Sequence, residues 1–580
     1  MAHPNPEPSP NPPDWPYCGH GTTPEDPVGC RGIHVPGHSM CLAHLADADR
    51  DAYLASLTPG VGIDHRGTPF TEPLLDALLD ALHDPTTRQS RLGDAWFTSA
   101  AFDGFAGFDS ATFQGFAAFD SATFRGDAGF TSATFQGDAW FESATFEGDA
   151  SFDSATFQGN AGFASAVFEG DAGFASTTFQ GDARFASATF QEVARFASAT
   201  FEHDAGFEEA VFNRAASFGP LVCAGQVKLS GAVFGGPVTL SFAARRVECR
   251  RTRWSSTAEL RLRYATVDFS HAVFEYPLTI AAEAAPFVLP DGPPAEEQAF
   301  ADAPASVRMA SLRGVDAAHL VLADVDLSGC LFTGTVHLDQ VRLEGTCSFG
   351  RVPPRTHWRY WRPIRFTQRR TLAEEQHWRA TLPTAVPGWN VAVFGAGNVG
   401  PAQLEPVYRA LRKAFEDSKN EPGAADFYYG EMEMRRHDRT GTTRAERGLL
   451  HGYWLLSGYG LRASRALGWL ATTMLITIVL LMSFGLPQDD LQQEATGTVP
   501  PGGGKVTFKI DKDDPRNPTR NRFTGERFEK ALNVTLNSVV FRSSGQDLTT
   551  AGTYIEMASR ATEPVLLGLA VLAVRNRVKR

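Results

Sequence analysis

Between Asp94 and Phe218, phenylalanine returns at alternating steps of five and six residues, from Phe97, Phe102, Phe108 and Phe113 through to Phe201, Phe207, Phe212 and Phe218. Each step occurs eleven times, so the repeating unit is eleven residues, as in Phe135 to Thr145. Alanine stands two positions before nearly every one of these phenylalanines. An α-helix would rotate by about 140° and 240° over such steps and split the aromatic positions between two stripes. It would also carry the glycines at 104, 115, 126, 137, 148, 159, 170 and 181, each costing about 1 kcal/mol relative to alanine. A helix is therefore excluded. Ala and Phe separated by one residue read instead as the inward-facing positions of a short strand, with a polar corner between strands. Four such faces make a coil of 22 residues. Phe97, Phe119, Phe141, Phe163, Phe185 and Phe207 then form one stacked ladder, and Phe102, Phe124, Phe146, Phe168, Phe190 and Phe212 another. At roughly 4.8 Å per rung the regular array spans about 26 Å. Its glycine column gives way to Glu192, His203 and Arg214, so the corner does not demand a positive φ angle.

Segments such as Ala111-Thr112-Phe113-Gln114-Gly115 and Ala133-Thr134-Phe135-Gln136-Gly137 resemble the pentapeptide-repeat family, departing from it by a sixth residue in alternate faces. The resemblance implies a mainly β fold, a right-handed quadrilateral β-helix with the central Phe pointing inward. Cys223, Leu229, Phe234 and Leu240 keep the spacing, and Phe269, Phe274 and Ile280 resume it. After a Pro- and Ala-rich insertion at 281–306, Leu322, Leu327, Phe332, Leu338, Leu343 and Phe349 restore it, which places the solenoid at residues 93–350.

Flanking segments follow other patterns. Residues 1–16 are a Pro-rich tail expected to be disordered, and no signal peptide is visible. Residues 17–92 read as a cap carrying cysteine and histidine, with helices over Ala46–Leu57 and Thr71–Leu82. A solenoid needs its open end covered. Cys18, Cys30, Cys41 and His44 are the simplest set that would hold a structural zinc there, the alternative being free thiols in a loop-rich cap. Residues 351–400 form a basic, aromatic linker containing His357-Trp358-Arg359-Tyr360-Trp361-Arg362, expected to dock on membrane-proximal helices. The Gly395-Ala396-Gly397-Asn398-Val399-Gly400 match to a dinucleotide loop is a decoy, because two helices follow it where a strand ending in an acid is required. Those helices, Gln403–Lys419 and Ala424–Arg436, read as a single hairpin of tetratricopeptide type within a membrane-proximal segment at 401–462. The whole arrangement resembles bacterial membrane proteins in which pentapeptide repeats precede such a hairpin and two spans.

Residues 463–580 read as the membrane segment. Ala466–Leu486 carries no charge over 21 residues. Arg462 and Arg465 precede it and Asp489 and Asp490 follow, which places the solenoid and the C-terminus in the cytoplasm and the loop at 487–552 outside. A second span ending near Val574 brings in Glu556, Arg560 and Glu563 on one helical face, expected to meet another subunit of a homo-oligomer or a water-filled path. Phe528–Phe541 reads as a re-entrant helix, a layout resembling a two-helix cation channel without the potassium filter.

The net charge of −13 lies in the repeat array, where 18 acidic residues face 4 basic ones. At 22-residue stacking, Asp127, Asp149 and Asp171 form one acidic column and Asp138, Asp182 and Asp204 lie in another. No nucleophile, acid–base pair or phosphate loop points to catalysis, and no cofactor beyond the zinc or small-molecule substrate is indicated. The expected function is a membrane-anchored scaffold whose acidic solenoid binds a protein partner. The alternatives are a channel with a cytoplasmic solenoid sensor and a mimic of duplex DNA that binds a topoisomerase. Nucleic acid itself is not an expected partner of an acidic rod.

Overall fold

The protein is described here by a computed structural model. It describes residues 12–214, 217–288, 297–353, 357–359, 362–364, 366–383, 385–389, 395, 397–487, 501–502 and 521–578. The first eleven residues of the Pro-rich tail, most of the linker's His357–Arg362 side-chain cluster, Val391–Phe394, and Asp489 and Asp490 lie outside what it describes. The chain divides into two compact units, Met1–Val399 and Gly400–Arg580.

The first unit is a β-solenoid of about 11 turns. Two-residue strands pair in parallel at an offset of 22, as in Thr123↔Thr145 and Phe124↔Phe146. The Phe ladders run along four faces, with ring centroids 4.9 Å apart for Phe141–Phe163, 4.7 Å for Phe124–Phe146, 4.8 Å for Phe130–Phe152 and 4.6 Å for Phe135–Phe157. These separations match the spacing of hydrogen-bonded strands, so one geometry serves both the backbone ladder and the aromatic stack. Every ladder phenylalanine from Phe97 to Phe218 is at most 1% exposed.

Two columns of small residues make the corners, for different reasons. In each five-residue step a turn closes, as where Ala144 N–H donates to Phe141 O at 3.1 Å, and its third residue, Ser143, has φ of 57°. The same left-handed serine recurs at 99, 110, 121, 132, 154, 165, 176, 187 and 198. In each six-residue step the glycine has an ordinary φ from Gly115 onward but lies against the coil below. A Cβ on Gly159 would sit 2.5 Å from the Gly137 carbonyl oxygen. The column loses its glycine at Glu192, where Thr189–Arg195 runs through the corner as a continuous strand with a shift of register.

Parallel pairing begins earlier than the Phe spacing indicates. Ile63 pairs with Ala95 and Phe70 with Phe102, so the first rung comes from the segment read as cap. Helix α1 (Asp47–Ser56) precedes that rung, and α2 (Glu72–Ala81) is inserted within its turn, which stretches the offset and hides the periodicity. By this register His65 takes the ladder position above Phe97 and is fully buried. The gap between Leu240 and Phe269 is not a break either. There the coil shortens to 20 residues, and Trp254 joins the aromatic stack 4.2 Å from Phe234 and in register with Phe274.

The insertion lies along one flank, where Phe287 and Phe300 pack on Val222 and Ala243, and Arg263 pairs with Glu297 at 2.8 Å. The basic aromatic cluster of the linker has no described side chains, but the linker's helix α3 (Ala373–Thr381) docks on the last coils of the solenoid. Glu374 Oε1 accepts Phe332 N–H at 2.5 Å and Thr333 N–H at 3.0 Å, satisfying amides at the open end. Glu375 is held between Arg369 and Arg379 at 2.5 and 2.6 Å. Two of the linker's cations, Arg369 and Arg379, are thus spent on an internal carboxylate.

In the second unit α4 (Pro401–Asp417) and α5 (Glu421–His437) form an antiparallel hairpin, with Phe415 stacked on Phe427 at 5.0 Å. Helix α6 (Arg444–Ser457) follows, then α7 (Ala463–Leu480) with a π-helical turn to Gly485, α8 (Gly525–Val539) and α9 (Thr550–Val578). Ala463–Gly485 and Thr550–Arg575 are long and apolar enough to cross a membrane. Only 28% of the most apolar stretch of each is buried, and Leu475, Ile476, Val565 and Val571 point outward, unlike the core helices of a water-soluble domain.

Candidate functional site

The candidate metal group is assembled by short backbone contacts in the cap. Cys18 N–H donates to Gly32 O and Gly19 N–H to Cys30 O, both at 2.8 Å, which places the first two sulfurs side by side. A 3₁₀ turn, Leu42–His44, starts directly after Cys41 and swings His44 back over it. Gly32 permits the approach, since a Cβ there would lie 2.6 Å from Cys41 Cβ. Cys30 Sγ is 3.7 Å from Cys41 Sγ, and His44 Nδ1 is 3.2 Å from Cys41 Sγ and 3.6 Å from Cys18 Sγ. All four donor atoms lie within 4.8 Å of one another.

Ligands about 2.3 Å (sulfur) and 2.1 Å (nitrogen) from a tetrahedral zinc would be roughly 3.5–3.8 Å apart, so the spacing suits that ion. Of the other cap histidines, His34 Nε2 contacts Tyr17 O at 2.8 Å and His38 faces Asp49, while the His20 ring stacks on His44 at 4.3 Å. The contact between the sulfurs holds the Cys30 thiol well below its ordinary range and pushes Cys41 above it. Gly32 N–H points at Cys30 Sγ from 3.4 Å, an outer contact of the kind that favours thiolate. Four protein donors leave no open position, which is the pattern of a structural rather than a catalytic ion.

The acidic columns have a second role that the spacing did not reveal. Asp127 Oδ1 accepts the N–H of Asp149 at 3.0 Å, and Asp149 Oδ1 accepts that of Asp171 at 2.8 Å. Asp138 accepts the N–H of Asn160, and Asp204 that of Gln226 while also pairing with Lys228. Asp182 faces Arg184 at 3.6 Å. Asp127, Asp138, Asp149, Asp171 and Asp204 thus each tie one coil to the next, and the like charges of a column are partly offset by the amides they hold. Sequence reading treated this column as charge alone; its signal was the Gly-Asp pair recurring in the six-residue step.

The three ionisable residues of the second span reach three separate contacts. Glu556 Oε1 lies 3.4 Å from Ser544 N and Oγ, and Arg560 donates to Phe541 O. Glu563 is fully buried and accepts a hydrogen bond from Thr477 of α7 at 3.1 Å. Each therefore has a contact within a single chain, while Glu563 Oε2 is buried without a hydrogen-bond partner among the described residues. Arg527, which carried no signal in the apolar pattern, reaches Met482 O, Leu486 O and Pro487 O and closes the C-terminal end of the first span. Of the dinucleotide-like loop, only Gly395 and Gly397–Gly400 are described, and Gly395 O accepts from Arg313.

No curated protein and no solved structure matches the chain. The family model for pentapeptide repeats in nine copies matches residues 130–178 and 174–219, the heart of the Phe ladder. The stacked central phenylalanines and four-faced coils carry that pattern beyond the matched stretch in both directions, so the matched pentapeptide repeats lie within a longer β-solenoid of the same build.

Proposed function

We propose that this protein is a membrane-anchored pentapeptide-repeat scaffold whose solenoid binds a protein partner through its acidic face, with a structural zinc closing the N-terminal cap. The observation that carries the reading is the presence, in one chain, of a β-solenoid of about 11 turns and two helices whose apolar surfaces are exposed. A solenoid offers a long, rigid surface, and such helices suit lipid. The solenoid and the C-terminus are assigned to the cytoplasmic side on the strength of Arg462 and Arg465 before the first span.

Glu142 and Glu169 are exposed and, unlike the corner aspartates, hold no backbone amide among the described residues. A photocross-linker at either position in the full chain should trap a discrete partner, and the Glu142→Lys/Glu169→Lys variant should lose it. Absence of any adduct from a correctly folded chain would count against partner binding. Equimolar zinc in the purified full chain, lost in Cys41→Ser, is the expected result for the cap.

A second reading has one specific support. Helix α8 lies between the two spans in sequence and packs on the first, with Ala531 and Val534 against Ile478, Leu481 and Met482, while Ile555 of the second span joins the same cluster. Such an arrangement suits a two-helix channel. Conductance in planar bilayers tests it, and silence from a folded oligomer would remove it.

A further inference from the structure

The second unit carries a surface that neither the anchor nor the scaffold reading accounts for. Helix α6 buries only one side. Leu450, Tyr453 and Trp454 pack toward Tyr429, Met432, Tyr459 and Leu461. On the other side Leu449 is 76% exposed and Leu455 48%, with Ala445 and Gly448 beside them at helical spacing. The helix does not run on into the first span, because Gly458, Tyr459 and Gly460 have φ of 55°, 60° and 70° and turn the chain. The Trp469 indole N–H donates to Leu455 O at 3.1 Å. Trp469 is six residues into α7, so the end of α6 sits roughly 9 Å along the span from its start, at the depth where an apolar helix enters a bilayer.

What covers the exposed leucines follows from that position. An amphipathic helix tied beside the entry of a span, with the exposed Trp469 of that span at its margin, has the composition of one lying in the membrane interface. The charge beside it has one sign. From Arg435 to Arg465 there are seven arginines against two acids, and Arg439 and Arg444 are exposed with no ion pair among the described residues. We propose that α6 lies in the plane of an anionic bilayer, acyl chains covering Leu449 and Leu455 and phospholipid phosphates meeting Arg439 and Arg444. This inference rests on the membrane-anchored reading.

The test uses the full chain with p-benzoylphenylalanine at position 449, reconstituted in vesicles of equal phosphatidylcholine and phosphatidylglycerol. Alkaline carbonate extraction is scored first. A chain released by carbonate overturns the anchored reading and this proposal together. For a retained chain, irradiation should give phospholipid adducts at 449 and none at an exposed control position, Glu142. A water-quenched or purely protein adduct at 449 overturns the proposal and leaves the anchor intact. Among the lipid adducts, phosphatidylglycerol should exceed phosphatidylcholine about fivefold, the enrichment expected near a juxtamembrane arginine. Arg439→Gln/Arg444→Gln should bring the ratio close to one while retaining the adducts. Equal adducts of both lipids in the parent chain would overturn the phosphate contact.

Discussion

At the scale of single residues, the corners separate two requirements that a glycine usually meets together. The left-handed backbone is assigned to serine, and the close approach between coils to glycine. Substitution should therefore act in opposite directions at neighbouring corners. Ser143→Gly relieves a left-handed non-glycine residue and should raise stability by up to about 1 kcal/mol. Gly159→Ala drives a methyl onto the Gly137 carbonyl and should lower it by about 2 kcal/mol. Thermal unfolding of the two variants decides this, and equal effects would show that the division of labour is wrong.

A second residue-scale consequence concerns His65, where an imidazole stands at the head of a column whose next six positions, Phe97 to Phe207, are phenyl rings. Burial pushes it down to about 4, against an unfolded value near 6.5. As pH falls below about 6.5 the unfolded chain takes up the proton first. Its contribution to stability is therefore full above that pH, declines toward pH 4 and levels off below, by about 3 kcal/mol in all. His65→Phe should remove this dependence, so the gap in melting temperature between variant and parent should widen from pH 7 to pH 4.5. A constant gap would refute it.

At the scale of elements, α3 closes the C-terminal end of the solenoid through one carboxylate. Glu374→Ala leaves the Phe332 and Thr333 amides without their acceptor at a buried end and should cost about 3 kcal/mol. Glu374→Gln, which keeps an acceptor oxygen, should recover much of it. Hydrogen exchange at 332–333 and across α3 reads the effect; protection unchanged in Glu374→Ala would dismiss the cap. This element also shows where sequence reading ends. The Phe ladder, the α4–α5 hairpin and the apolar helices were legible because periodicity is local and repeats. Glu374 was not, because its partners lie 41 and 42 residues away and a glutamate in a first helical turn needs no other explanation. The first rung was hidden by α2 within its turn, and Trp254 by a change in coil length. The Cys18, Cys30, Cys41 and His44 set was legible as ligand chemistry, but its convergence depends on Gly32 and on pairing that no spacing reports. The corner aspartates were seen as charge and missed as acceptors for the same reason.

At the scale of the whole molecule, the offset between paired strands makes the length of the solenoid a quantised property. Each coil repeats the last in register, so material can be removed only in whole turns without rotating everything downstream. Deleting residues 131–152 joins Phe130 to Asp153, preserves every ladder and shortens the rod by about 4.8 Å. Deleting the eleven residues 131–141 also keeps the five- and six-residue alternation, so each ladder still meets a phenylalanine 22 positions on, but everything downstream is turned by half a turn about the axis. Both deletions should therefore keep a melting temperature near the parent's, whereas deleting the five residues 131–135 sets two six-residue steps in succession, puts half of the ladder positions out of register and should lower it. The array then behaves as a ruler whose smallest graduation is one repeat unit, each unit adding half a rung of length and half a turn of angle between the two capped ends.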